Sequence, residues 1–126
     1  MDRRNPGLAG AGTLERPRAP ESGAPEGAIF CRLGALSPAE RERQALLRRR
    51  VEAAVREAQE RPDGYALLLD PAPELFVAAA EWITLERRCC PFMRLALERG
   101  DETWLVLEGG EGVKEFLTAE LAPLLR

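Results

Sequence analysis

The reactive side chains of this chain are concentrated at two adjacent cysteines, Cys89 and Cys90, which are followed by Pro91. Cysteine thiolates act as nucleophiles and bind soft metals. The 126-residue chain has three cysteines and no histidine, so imidazole is excluded both as a metal ligand and as a catalytic base. The third cysteine, Cys31, is distant in sequence but could fold back beside the pair. The chemistry of this group is therefore thiol chemistry.

Three thiolates without imidazole suit a soft ion such as Hg(II), Cu(I) or As(III). Tetrahedral zinc would need a fourth ligand, and Glu86 is the nearest candidate. We therefore predict a site for a thiophilic metal ion or metalloid at Cys89, Cys90, Cys31 and Glu86, in a binding protein rather than an enzyme. Two alternatives stay open. Cys90 could be the nucleophile of a thiol-dependent redox enzyme, or the cysteines could only pack as small apolar side chains.

The cysteine pair falls at the end of a predicted helix that runs from about Glu74 to Cys89 or Cys90. Apolar residues recur along it at spacings of three and four, and the same spacing leads on to Glu86 and then to the cysteines. A buried carboxylate needs a partner, either an arginine or a backbone donor. Adjacent residues of a helix point about 100° apart, so both sulfurs can bind one ion only if the helix unwinds at Pro91. The apolar positions are Leu75, Phe76, Ala79, Trp82 and Ile83.

Two opposing effects act on the reactivity of the pair. The charges of Arg87 and Arg88 favour the thiolate, whereas the negative end of the helix dipole disfavours it. Each effect is worth about 1 kcal/mol, so the sequence leaves the direction open.

The remaining elements predict an α+β fold, a small two-layer sandwich in the order helix, strand, helix, strand, strand, helix. Ser37-Pro38-Ala39-Glu40 is a capping box that starts the first helix, which we expect to continue to the turn at Pro62-Asp63-Gly64. A buried strand follows at residues 65–69. Residues 92–97 and 103–107 predict a hairpin. Glycines at 109–112 lead into a final helix, and they lack the lysine and hydroxyl pattern of a phosphate-binding loop.

Residues 1–27 are rich in glycine, proline, alanine and arginine and predict a disordered arm. Residues 28–126 form the expected single domain, which begins with a short edge strand at residues 28–33. The strand at 65–69 and the first strand of the hairpin are expected to run parallel through a right-handed crossover. In the final helix, Val113, Phe116, Leu117, Leu121 and Leu124 or Leu125 should face inward.

The composition limits the functions that fit this chain. Its formal charge is −3, which argues against a nucleic-acid partner. No apolar run is long enough to span a bilayer, and the amino terminus shows no secretion signal. An odd number of cysteines does not imply a closed disulfide framework. We therefore expect a cytoplasmic protein with reduced thiols and no membrane partner. The arm and the paired helices could serve a partner or a homodimer.

The block from Glu81 to Phe92 contains Glu86-Arg87-Arg88-Cys89-Cys90-Pro91-Phe92, which resembles the Glu-Arg-x-Cys-Cys-Pro-Phe motif of small uncharacterised bacterial proteins. Similar segments occur beside mercury-responsive regulators of the MerR family. Pro62-Asp63-Gly64-Tyr65 and the residues from Gly110 to Leu117 are similar to the same group, so that the resemblance covers most of residues 28–126. It implies a link to heavy-metal response, carried by Cys89, Cys90 and Glu86. The chain has no evident helix-turn-helix for binding DNA.

Overall fold

Three helices and a four-stranded antiparallel sheet make up the computed structural model, which describes residues 29–32 and 34–125. The fold is α+β, as predicted. The elements of the described residues are α1 (Pro38–Ala53), β1 (Val55–Arg61), β2 (Gly64–Leu69), α2 (Pro73–Cys89), β3 (Met93–Arg99), β4 (Thr103–Gly109), α3 (Val113–Glu120) and a 3-10 turn at Ala122–Leu124. The predicted arm at residues 1–27 lies outside the described residues.

Helix α1 begins as the sequence predicts. The hydroxyl of Ser37 accepts a hydrogen bond from the Glu40 backbone N–H at 3.1 Å, and the Glu40 carboxylate accepts one from the Ser37 N–H at 2.9 Å. Pro38 occupies the first turn, where its missing N–H leaves no bond unmade. Two amide groups that would otherwise lack partners are thereby satisfied.

The end of α1 is where the prediction is wrong. The helix stops at Ala53, and the residues expected to continue it form strand β1. In β1 every third residue is partly buried, namely Val55, Ala58 and Arg61, and the pairing of the strand with β2 is irregular between Val55 and Glu57. That spacing is close to the period of a helix.

Strand β2 is buried at five of its six positions and needs backbone partners on both edges, which β1 and β4 supply. The predicted helices and strands keep their predicted order, with β1 added.

The strands lie in the order β1-β2-β4-β3. Because β2 and β3 both pair antiparallel with β4, they run parallel to each other, as predicted, with β4 between them. The predicted hairpin is formed by β3 and β4. The turn at Pro62-Asp63 joins β1 to β2, so it connects two strands and not a helix to a strand.

The predicted edge strand at residues 28–33 is wrong for the part that the structure describes, because residues 29–32 adopt no regular secondary structure. Their backbone makes a different contact. The N–H of Arg32 donates to the carbonyl oxygen of Cys89 at 2.8 Å, at the end of a helix and not along a sheet edge.

The hydrophobic core is formed where the helices contact the sheet. Helix α1 packs on α2, α2 packs on β3, and α3 packs on β2 and β4. The predicted inward face of α2 is confirmed at Ala79, Trp82 and Glu86, which are all buried. In α3 the glycine turn ends at Gly112, whose φ of 87° precedes the buried Val113. The most deeply buried side chains are Leu47, Leu69, Leu105 and Val113.

Among the described residues, no helix combines the length and the apolar character that crossing a membrane requires.

Close approach of β2 to β4 leads to a stability prediction at Gly64. A Cβ atom at this position would lie 1.9 Å from the carbonyl oxygen of Leu107. Gly64→Ala should therefore lower the free energy of unfolding by about 2 kcal/mol or more, because the two backbones must separate. Urea unfolding monitored by circular dichroism measures the change.

Gly100→Ala is the matched control, because a Cβ there meets no atom within 4 Å. It should change stability by less than about 1 kcal/mol. Equal effects of the two substitutions would contradict the assigned β2–β4 register.

Candidate metal centre

Helix α2 ends between the two adjacent cysteines. Cys89 is its last residue, and Cys90 has left helical geometry with φ −124° and ψ 75°. Its N–H still donates to the carbonyl oxygen of Glu86 at 2.7 Å. Pro91 disfavours helical geometry at the residue before it. The predicted unwinding is therefore confirmed, and it removes the divergence that two neighbouring side chains would have on a continuing helix.

Cys31 reaches the pair because its segment binds the end of α2. The last carbonyl groups of a helix have no partner within the helix. Here the carbonyl of Cys89 is satisfied by the N–H of Arg32, which is the residue directly after Cys31. One peptide hydrogen bond thus places a cysteine from the amino-terminal side of the domain beside two cysteines 58 and 59 positions later in the chain.

Arg88 provides a second connection between the same two regions. Its guanidinium pairs with the carboxylate of Glu40 at 2.9 Å and donates to the carbonyl oxygen of Ala35 at 2.8 Å. The hydrogen bond from Arg88 lowers the pKa of the Glu40 carboxyl to about 2. The guanidinium of Arg87 donates to the carbonyl oxygen of Pro91. Both arginines therefore hold backbone in place, a role that their charges alone did not indicate.

The three sulfur atoms form one group. All lie within 4.8 Å of one another, and the Cys31 and Cys90 Sγ atoms are 3.9 Å apart. Metal–sulfur bonds of about 2.3 Å place sulfurs about 3.8 Å apart around a tetrahedral centre and about 4.0 Å apart around a trigonal one. The observed spacing is within about 1 Å of those values. The group could therefore bind a metal ion after a small contraction.

Exposure is graded across the cluster. Cys31 is exposed, Cys89 is half-buried and Cys90 is 6% exposed, and all three are free thiols. Cys90 belongs to the hydrophobic core, so packing accounts for its burial. Packing does not account for Cys31, whose side chain remains in solvent. An incoming ion would meet Cys31 first.

Glu86 is buried, as its place on the apolar face of α2 predicts, and it is 9% exposed. Its partner is Gln44 of α1, whose side-chain amide donates to the carboxyl group at 2.7 Å. The arginine or backbone donor expected from the sequence is therefore replaced by a neutral amide. Gln44 precedes Leu47 and Val51 at helical spacing, so a polar residue in the inward stripe of α1 was the available signal. Glu86 is not among the three residues of the sulfur group, and its role as a fourth ligand remains a prediction.

The structure decides the direction of the thiol pKa values that the sequence left open. Burial raises the pKa of Cys89 above its ordinary value. Burial also raises the pKa of Cys90, and the charge of the nearby Glu86 carboxylate adds to the effect. Both thiols are consequently neutral at pH 7 in the metal-free protein. A bound metal would have to displace their protons.

Comparisons of the chain with protein families, with curated proteins and with solved structures found no match. The resemblance to the Glu-Arg-x-Cys-Cys-Pro-Phe group therefore stays a prediction, and the functional argument comes from the geometry of the site.

The burial of Cys90 predicts how stability depends on pH. A thiol whose pKa is higher in the folded than in the unfolded chain keeps its proton on folding, so stability is lost once the unfolded chain begins to ionise. For the reduced, metal-free protein, the free energy of unfolding should fall above about pH 8.5, by up to about 1.4 kcal/mol per pH unit for this one group. Urea unfolding between pH 7 and pH 10 measures the slope.

Cys90→Ala is the control, because it removes the titrating thiol while keeping an apolar side chain. The slope above pH 8.5 should flatten in this variant. An unchanged slope would show that other groups cause the loss of stability.

Proposed function

We propose that this protein binds a thiophilic metal ion or metalloid, such as Hg(II), Cu(I) or As(III), through Cys31, Cys89 and Cys90. The supporting observation is that three sulfur atoms from two distant parts of the sequence lie within 4.8 Å of one another. Thiolate ligands select soft ions, and the chain has no imidazole that would favour harder ones.

The donor set favours a two- or three-coordinate ion over zinc. A structural zinc site is closed by four ligands, whereas the described residues bring three sulfurs together. Glu86, the proposed fourth ligand, is already hydrogen-bonded to Gln44. Its carboxylate also interacts with the Cys90 thiol.

Binding accounts for the site better than catalysis does. A thiol enzyme needs a thiolate at neutral pH, but burial raises the pKa of both Cys89 and Cys90. The neighbouring arginines bind Glu40 and backbone carbonyl groups and not the sulfurs. The short Cys31–Cys90 distance of 3.9 Å is the observation that favours redox chemistry as the second candidate.

The proposed setting is the cytoplasm of a bacterium, in a response to heavy metals. Free thiols suit a reducing compartment, and the net charge of −3 does not favour nucleic acid as a partner. We further infer that the elements form a two-layer sandwich, because α2 and α3 both contact the sheet. A homodimer is compatible with this arrangement.

The first functional prediction concerns stoichiometry. The reduced protein should bind one equivalent of As(III) or Hg(II) and retain it through gel filtration, as measured by elemental analysis of the protein fraction. Cys89→Ser/Cys90→Ser should weaken binding at least about 100-fold, a change of about 2.7 kcal/mol, because a single exposed thiol remains.

Cys31→Ser distinguishes two-coordinate from three-coordinate binding, because Cys89 and Cys90 are then the two thiols that remain. It should weaken As(III), which takes three sulfurs, far more than Hg(II), which can be held by two. Circular dichroism must show that each variant is folded. Unchanged one-to-one binding by the folded double variant would exclude the proposed site.

The second functional prediction concerns alkylation. Iodoacetamide at pH 7.5 should modify Cys31 first, Cys89 more slowly and Cys90 last, because the attacking thiolate must be both formed and exposed. Trypsin places Cys31 in residues 19–32 and the pair in residues 89–94, so peptide masses separate Cys31 from the pair, and fragmentation between residues 89 and 90 separates Cys89 from Cys90.

In urea the three cysteines should react at similar rates, which serves as the control. Faster modification of Cys90 than of Cys31 in the native protein would instead favour the thiol-dependent enzyme.

A further inference from the structure

One pair of thiols in the sulfur cluster is close enough to form a covalent bond. The Sγ atoms of Cys31 and Cys90 are 3.9 Å apart, and both residues are free thiols. The sulfurs of a disulfide are about 2.05 Å apart, so each atom has to move by about 1 Å from its position at 3.9 Å. A disulfide between these residues therefore requires a small movement of two side chains.

The backbone beside the two sulfurs is held by a hydrogen bond. The N–H of Arg32 donates to the carbonyl oxygen of Cys89 at 2.8 Å. This bond joins the peptide unit that follows Cys31 to the peptide unit that precedes Cys90. Backbones paired in this way have Cα atoms about 4.5–5.5 Å apart in sheets, and disulfides span about 4.4–6.8 Å. The two backbones are thus held at a suitable separation for the bond.

The adjacent pair, Cys89 and Cys90, is poorly suited to form a disulfide of its own. The peptide bonds of the described residues are all trans, and consecutive Cα atoms across a trans peptide are about 3.8 Å apart. That separation is below the range that disulfides usually span. Cys90 therefore needs a partner from another part of the chain, and its sulfur contact at 3.9 Å is with Cys31.

The two thiols differ in their access to solvent. Cys31 is exposed, whereas Cys90 is 6% exposed and packs in the core. An oxidant in solution would consequently reach Cys31 first. A cysteine oxidised to a sulfenic acid condenses with a neighbouring thiol to give a disulfide, and oxidation-sensitive cysteines are typically accessible and lie beside such a second thiol. Cys31 and Cys90 have this arrangement.

We propose that Cys31 is an oxidation site for hydrogen peroxide or an organic hydroperoxide, and that the product is a Cys31–Cys90 disulfide. The Cys31 sulfur attacks one peroxide oxygen, the O–O bond breaks, and a sulfenic acid forms with release of water or an alcohol. The Cys90 sulfur then attacks the Cys31 sulfur, and the S–O bond breaks. The leaving oxygen takes the Cys90 proton and departs as water, so Cys90 does not have to ionise beforehand. The two thiols lose two electrons, which the peroxide gains.

The disulfide would also control the metal centre, a consequence that rests on the proposed function. Oxidation removes two of the three sulfur ligands and leaves Cys89 alone. A bound ion conversely occupies the Cys31 sulfur that the peroxide must reach. Ion binding and disulfide formation therefore exclude each other, and the centre binds its ion only while the thiols are reduced.

The full chain, reduced and free of metal, is treated with hydrogen peroxide to test the oxidation site. Free thiols counted in urea should fall from three per chain to one, and the mass of the chain should fall by two hydrogen atoms. Trypsin without prior reduction should yield residues 19–32 joined to residues 89–94. Fragmentation of this product should place the link at Cys90 and leave Cys89 as a free thiol.

Cys89→Ala and Cys90→Ala are a matched pair of variants, because each removes one sulfur from the same turn. Cys89→Ala should form the disulfide as the wild type does. Cys90→Ala should form a link to Cys31 at least about tenfold more slowly, because the aligned partner is lost. Cys89→Ala/Cys90→Ala should retain the sulfenic acid of Cys31, which dimedone traps. Since Cys90→Ala could also disturb packing, the position of the link in the wild type decides the question independently.

Arsenite tests the connection to the metal centre. One equivalent added before the peroxide should slow the loss of the Cys31 thiol at least about tenfold, because only the ion-free fraction of the protein can react. The oxidised protein should not retain As(III) through gel filtration. Treatment with dithiothreitol, followed by its removal, should restore the binding.

The possible failures can be told apart. A link from Cys31 to Cys89, a disulfide between two chains, or a Cys31 sulfinic acid beside a free Cys90 thiol would each overturn the inference. If the reduced protein nevertheless retains As(III), the proposed metal function stands without it. A Cys31–Cys90 disulfide in a protein that never retains As(III) would support the oxidation site and exclude the metal function.

Discussion

The end of helix α2 at Pro91 is the constraint on which the candidate site depends. Since proline disfavours helical geometry at the preceding residue, Cys90 leaves the helix while Cys89 remains in it. The two sulfurs can then approach each other. The same ending exposes the Cys89 carbonyl, and the N–H that satisfies it belongs to the segment carrying Cys31. A single break in the helix thus gathers all three thiols.

Burial then determines what kind of chemistry these thiols can perform. Cys90 packs in the core and Cys89 is half-buried, so both are held neutral at pH 7. A neutral thiol is a poor nucleophile, but a metal ion can replace its proton. Of the two arginines whose charges favour the thiolate, Arg88 binds Glu40 and the Ala35 carbonyl, and Arg87 binds the Pro91 carbonyl. Their positions stabilise the arrangement of the backbone around the sulfurs.

Several elements of the fold are determined by residues that are close together in the sequence, and these elements could be predicted from the sequence alone. The capping box at Ser37, the extent of α2, and the β3–β4 hairpin follow from side-chain spacing and turn residues. Strand β1 could not be found this way, because partial burial at every third residue has the period of a helix. Only the need of β2 for a second backbone partner makes β1 a strand, and that need is a property of the whole sheet.

The candidate site likewise has parts that could be predicted from the sequence and parts that depend on contacts between elements. The pairing of Cys89 with Cys90 and the burial of Glu86 follow from their positions on α2. The approach of Cys31 depends on a backbone hydrogen bond between residues 57 positions apart, and the Gln44–Glu86 contact depends on how α1 packs against α2. The approach of Cys31 leaves no mark in the sequence, and Gln44 in the inward stripe of α1 indicates a buried polar side chain without identifying Glu86 as its partner. Sequence patterns report on single elements, and contacts between elements require the fold.

The hydrogen bond between Arg32 and Cys89 also has a thermodynamic consequence. An ion held by all three sulfurs requires residues 29–32 to be docked on α2. By reciprocity, the ion must then favour docking by the same free energy by which docking raises the affinity for the ion. The amino-terminal segment is in that sense an energetic component of the centre, and a force or a partner acting on it would alter how tightly the ion is held.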